Sequence, residues 1–106
     1  MDSTIQVVKP SGILDSTQAG EFREEIAKRV RAGATTILVD FQDVTFMDSS
    51  GLGALVLALK TVRSSGGKMF VCAANDQVKM LFELTSMDRV FVMYEDREAF
   101  EATIAG

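Results

Sequence analysis

The chain has 106 residues, 47% hydrophobic and 25% charged, with a formal net charge of −4 and a pI near 4.7. One domain spanning residues 1–106 is expected from that length, and the acidic balance disfavours broad attraction to a nucleic-acid backbone. There is no His and one Cys, Cys72, which excludes a Ser-His-Asp triad, a histidine-based metal cluster, an internal disulfide and a CxxC centre.

The opening MDSTIQVVKP has no basic segment ahead of an apolar stretch, so no secretory signal is expected. Gly51 to Leu59 is the longest uncharged apolar run, less than half of the roughly 20 residues a membrane span needs. A cytoplasmic protein with no membrane span follows as the expectation.

In chain order, Ile5 to Val8 reads as a first strand, and Pro10-Ser11-Gly12 as a turn into a short second strand around Ile13-Leu14. Pro10 makes this opening hairpin-like and edge-like. Asp15, Ser16 or Thr17 can cap the helix that follows. Phe22, Ile26 and Val30 recur every fourth residue with charges on the other faces, an amphipathic helix that Gly33 can stop. Thr35 to Phe41 is β-branched and mostly apolar, as for a strand covered on both faces. A second helix begins at Ser49-Ser50, aligns Leu52, Leu55, Leu59 and Val62 on one face, and ends at Gly66-Gly67.

Lys68 to Ala73 is a further strand, and Cys72 within it reads as a core thiol. Val78, Leu81, Phe82 and Thr85 mark a third helix, Val90 to Met93 a strand, and Asp96 to Ile104 a closing helix. The order ββαβαβαβα predicts an α/β fold: a mostly parallel central sheet, an N-terminal hairpin-like edge and about four flanking helices. Met47, Met69, Met80, Met87 and Met93 are expected to fill gaps in the core, with Met47, beside the serines, also placed to reach a docking surface.

The junction VTFMDSSGLGALVLALK, Val44 to Lys60, carries the most chemistry. Strand-to-helix turns gather function in open α/β sheets. A serine here is expected to cap the helix, worth about 1 kcal/mol, while Gly51 and Gly53 permit a tight turn and close packing. A hydrolase nucleophile would need Gly-x-Ser-x-Gly and a proton acceptor such as His, and neither is present. A phosphate loop would need Gly-x-x-x-x-Gly-Lys-Ser/Thr, and Asp48 would repel an anion. Covalent phosphorylation is the third chemistry: a phosphoserine brings about −1.5 to −2 charges, and Asp48 and Asp15, if close, would oppose them and expel a bound partner.

FMDSSGLGALV, the preceding ILVDFQDV, the opening SGILDSTQAGEFREEI and the later GGKMFVCAANDQVKMLFELTSMDRVF resemble the STAS-domain anti-sigma factor antagonists of bacteria, over roughly Ile5 to Ala99. The resemblance implies a STAS fold and phosphorylation at Ser50, immediately before Gly51, with Ser49 as second choice and Asp15 and Asp48 as neighbours of the site. It implies that the unphosphorylated chain binds an ATP-using serine kinase that is also an anti-sigma factor and thereby releases a sigma factor. Phosphorylation would end that binding, and a PP2C-like phosphatase would reset it. The chain would be a substrate and binding module, neither an enzyme nor a cofactor carrier.

Ser49, Gly51, Leu52, Gly53 and Leu57 are the expected partner-binding residues; Lys60 and Arg63 fit a rim, with solvated surface charge as their default reading. Taken alone, Leu52 and Leu57 each read more readily as core positions. An alternative keeps the fold as an interaction subunit of a stress-signalling or lipid-transport complex. Another, a nucleotide-binding enzyme, lacks the phosphate-loop pattern and would need a metal at the aspartates.

Overall fold

The computed structural model describes residues 5–105. Its elements are β1 (Ile5–Val8), β2 (Ser11–Leu14), α1 (Ser16–Arg31), β3 (Thr36–Asp40), β4 (Asp43–Met47), α2 (Ser49–Ser64), β5 (Lys68–Cys72), α3 (Asp76–Leu84), β6 (Val92–Tyr94) and α4 (Arg97–Ala105). A 3-10 turn, Met87–Arg89, joins α3 to β6. This is the expected α/β order, with one further short strand, β4, between β3 and α2. The carboxylate of Asp40 accepts from the Gln42 N–H at 2.9 Å, and the Val44 N–H donates to the Phe41 carbonyl at 2.9 Å. These bonds turn the chain out of β3, so the two neighbouring apolar runs join different sheets.

The main sheet has the order β1-β3-β5-β6, and every neighbouring pair is parallel. Strands β2 and β4 form a separate parallel pair, with Ile13 opposite Phe46 and Leu14 opposite Met47. The expected hairpin-like edge therefore takes another form: β1 pairs with β3, and β2 leaves to pair with β4. Pro10 supplies no N–H to a ladder. Gly12 adopts a φ of +73°, which a side chain would resist, and the β2–β4 register shifts between Gly12 and Ile13. Together they redirect the chain between β1 and β2.

Alternation along β3 and β5 divides the core into two. Ile37, Val39, Met69 and Val71 face a large cluster with Phe22 and Ile26 of α1, Leu52, Leu55, Leu59 and Val62 of α2, and Val78 and Phe82 of α3. Each buried leucine contributes roughly 1.5–3 kcal/mol through removal from water. On the other face, Leu38 and Cys72 pack against Phe100 of α4. Cys72 is a core thiol as expected, and burial, with the nearby Asp40 charge, pushes its pKa up to about 11. Met47 and Met69 are buried and Met87 and Met93 pack against the core. Met80 departs from expectation: α3 turns it outward, 57% exposed.

Helix α1 begins earlier than its apolar stripe suggests, because Asp15 caps it from just before Ser16. Its end is as expected, with Gly33 at a φ of +101° directly after the last turn. No helix among the described residues is long and apolar enough to cross a membrane.

Candidate functional site

Two equivalent strand-to-helix turns lie side by side. Strand β2 ends at Leu14 and passes through Asp15 into α1, while β4 ends at Met47 and passes through Asp48 into α2. Leu14 and Met47 are register partners, and the Asp48 N–H donates to the Leu14 carbonyl at 3.4 Å. The two aspartates therefore each follow a register-paired residue. Helices α1 and α2 then pack against each other, and both present positively polarised N-termini on the same side.

Each aspartate is an N-cap. The Asp15 Oδ1 accepts from the Thr17 N–H at 3.0 Å and from the Thr17 hydroxyl at 2.6 Å. The hydroxyl bond first, and the N–H bond second, hold the Asp15 carboxyl below its ordinary value. Asp48 adopts an extended backbone and its Oδ1 accepts from the Gly51 N–H at 3.0 Å. This corrects the expectation of a serine cap. The chain becomes helical at Ser49, so both serines lie inside the first turn, where a hydroxyl cannot reach back to the free N–H groups. Both serines are exposed, and among the described residues neither hydroxyl is engaged in a hydrogen bond.

Gly51 seats α2 against β2. A Cβ there would run into the Leu14 carbonyl oxygen and lie 2.9 Å from the Met47 Cγ. Gly53 faces open space, so of the two glycines only Gly51 is required by close packing. The five expected contact residues separate accordingly. Gly51 and Leu52 are buried, Leu52 at 5% exposure, whereas Ser49, Gly53 and Leu57 are exposed, Leu57 at 42%. Lys60 and Arg63 are exposed, and Met47 is wholly buried beneath the turn.

The sequence reading missed four residues around this turn. Ile13 and Phe46, opposite each other in the β2–β4 pair, are 53% and 45% exposed and form an apolar pair just before the aspartates. Their alternation with buried Leu14 and Met47 was the available signal. Asn75 and Gln77, at the start of α3, bond to the backbone of β4, a contact across about thirty residues that no local pattern announces.

Neither the cleft of about 320 Å³ beside α1 nor that of about 200 Å³ beside the C-terminal half of α2 is lined by Ser49 or Ser50. Among the described residues no group of three acidic or thiol side chains is arranged to hold a metal ion. The turn is exposed at Ser49, Ser50 and Gly53, open to contact with a macromolecule.

Comparison with known proteins agrees with this geometry. The STAS domain family matches residues 2–100. The anti-sigma-B factor antagonist of Staphylococcus aureus is 30% identical over 91 residues, covering 86% of this chain and 84% of that protein. The crystal structure of an anti-sigma factor antagonist from Mycobacterium paratuberculosis has a TM-score of 0.82 at 25% identity, covering 94% of this chain and 86% of that one. The unphosphorylated form of SpoIIAA, an anti-sigma factor antagonist, gives a TM-score of 0.80 over 100% of this chain and 94% of its own, and at 23% identity that likeness concerns the fold alone. From its parallel sheet to its paired aspartate-capped helices, this chain belongs to the STAS domain family.

Proposed function

We propose that the chain is an anti-sigma factor antagonist whose partner binding is switched by phosphorylation at the Asp48-Ser49-Ser50 turn. One observation carries the reading: Asp48 takes the helix cap, which leaves two adjacent exposed hydroxyls unbonded at the start of α2. Had a serine been the cap, its oxygen would be committed to the backbone. Ser50 is the proposed acceptor, with Ser49 as second choice; both hydroxyls stand open on this ground. The S. aureus relative, an anti-sigma-B factor antagonist, supports the class of partner.

The unphosphorylated surface combines the serines with Gly53 and Leu57 of α2 and the apolar Ile13–Phe46 pair. An anti-sigma factor that is also an ATP-using serine kinase would dock there in the cytoplasm, freeing its sigma factor. A phosphate beside Asp48 and Asp15 would add like charge to a surface the partner must desolvate, and burying unpaired charge is costly. A PP2C-like phosphatase would restore the binding form. In this scheme the chain, a single STAS domain, is substrate and binding module, not enzyme.

The test is incubation of the purified chain with ATP and a lysate of the organism that makes it, followed by mass spectrometry. One phosphate is expected in the peptide holding Ser49 and Ser50. The single variant, Ser49→Ala or Ser50→Ala, that loses it identifies the acceptor. An aspartate at that position should weaken capture of the kinase by about tenfold or more, equivalent to at least ~1.4 kcal/mol. Undiminished phosphate in the Ser49→Ala/Ser50→Ala double variant refutes the reading.

A further inference from the structure

We propose that Gln77 is a positioning residue for the serine turn, its carboxamide standing where a third strand would pair with β4. The proposal rests on the phosphorylation reading for its consequence, and on geometry alone for the contact. Among the described residues strand β4 has one strand neighbour, β2. The Asp48 N–H points to that neighbour, at the Leu14 carbonyl, whereas the peptide groups of Met47 point the other way. There the Met47 N–H donates to the Gln77 Oε1 at 2.9 Å, and the Gln77 Nε2 donates to the Met47 carbonyl at 2.7 Å.

A single bond would let the peptide rock, but donor and acceptor together fix both its position and its tilt, as a paired strand does. Asn75 extends the same edge: its Nδ2 donates to the Val44 and Thr45 carbonyls at 3.3 and 3.2 Å, and its Oδ1 caps α3 by accepting from the Val78 N–H at 2.9 Å.

The clamp stands on a rigid element. Val78 and Phe82 are fully buried, and the Phe82 ring packs edge-on against Phe41 and Phe91 at 6.4 and 5.5 Å between centroids. Met47 immediately precedes Asp48, whose carboxylate caps α2. A continuous path therefore runs from the core of α3 through Gln77 and the Met47 peptide to the cap and the two serines. With Gln77 in place the serines are presented in one orientation, and a change of charge on either is transmitted to α3.

The experiment is amide hydrogen exchange and backbone NMR on the free chain, comparing wild type with Gln77→Met and Val78→Ala. Gln77→Met keeps side-chain length and loses both bonds; Val78→Ala loosens the packing of α3 and keeps the carboxamide. Loss of the clamp should speed exchange of the Met47 amide roughly tenfold relative to core amides, as expected for a lost pair of neutral bonds. It should also move the Ser49, Ser50 and Gly51 resonances. Val78→Ala should speed Met47 only in step with the core.

Phosphate uptake at the serines should slow in Gln77→Met more than in Val78→Ala. Wild-type exchange and shifts in Gln77→Met, or matching local changes in both variants, overturn the proposal. Wild type that takes up no phosphate counts against the phosphorylation reading alone, while the exchange comparison still judges Gln77.

Discussion

The seating of α2 on β2 is open to a quantitative test through the two glycines of its first turn. A Cβ at Gly51 would meet the Leu14 carbonyl oxygen, with the Met47 Cγ at 2.9 Å and the Leu14 carbonyl carbon at 3.0 Å. Overpacking of this kind costs about 1–3 kcal/mol. The upper end applies because the obstacle is backbone, already held by the Asp48 N–H, and cannot rotate away as a side chain would. Alanine's helix propensity returns up to about 1 kcal/mol, so Gly51→Ala should lose about 2 kcal/mol net. At Gly53 nothing lies within 4 Å, and the same substitution should gain about 0.5–1 kcal/mol.

At about 4 °C per kcal/mol for a domain of this size, the expected Tm changes are a fall of about 8 °C and a rise of about 3 °C. Far-UV circular dichroism melts and urea midpoints at constant m would measure both. A Gly51→Ala protein as stable as wild type would show that α2 does not rest on the Leu14 carbonyl. The pair also separates folding from recognition: Gly53→Ala should be stable yet weaker in partner capture if Gly53 belongs to the contact surface.

Two further outcomes follow from the buried and capping carboxylates. Arg97 of α4 bridges Asp40, which is 2% exposed, at 3.4 Å, so Arg97→Met should cost about 2 kcal/mol in urea denaturation, and adding Asp40→Asn should recover part of it. The figure sits below the range for a fully buried pair because the arginine side chain is 43% exposed; equal stability of Arg97→Met and wild type would show the pair to be idle. For Asp15, whose folded-state pKa lies below 3.8, the cap's contribution is present above that value and lost as pH falls through the lowered one. Thr17→Val should move the Asp15 titration upward by NMR, and its stability deficit should be present at neutral pH and vanish in strong acid; a deficit independent of pH contradicts the assignment.

Much of this was legible before any coordinates. The four-residue recurrence of Phe22 and Ile26, and the 3-4-3 stepping from Leu52 to Val62, correctly marked the core faces of α1 and α2, because each helix buries one stripe. The location of the turn was also legible, since a β-rich run, an aspartate, two serines and a glycine must mark a strand-to-helix transition. The identity of the cap was not. Asp, Ser and Ser are all capping residues, and which one caps depends on where the backbone first turns helical, a choice of one residue that the packing of Gly51 on β2 enforces.

Local composition and periodicity thus determined the α/β order, the buried thiol and the place where chemistry could occur. Tertiary structure decided which parts of that place are available. It buried Leu52 and left Leu57 out, because the rotation of α2 is set by its packing against α1 and β5. It separated β2 from β1, and it put Gln77 against Met47. Strand pairing and side-chain clamps join residues about thirty positions apart, and their energy depends on neighbours that no window along the chain contains.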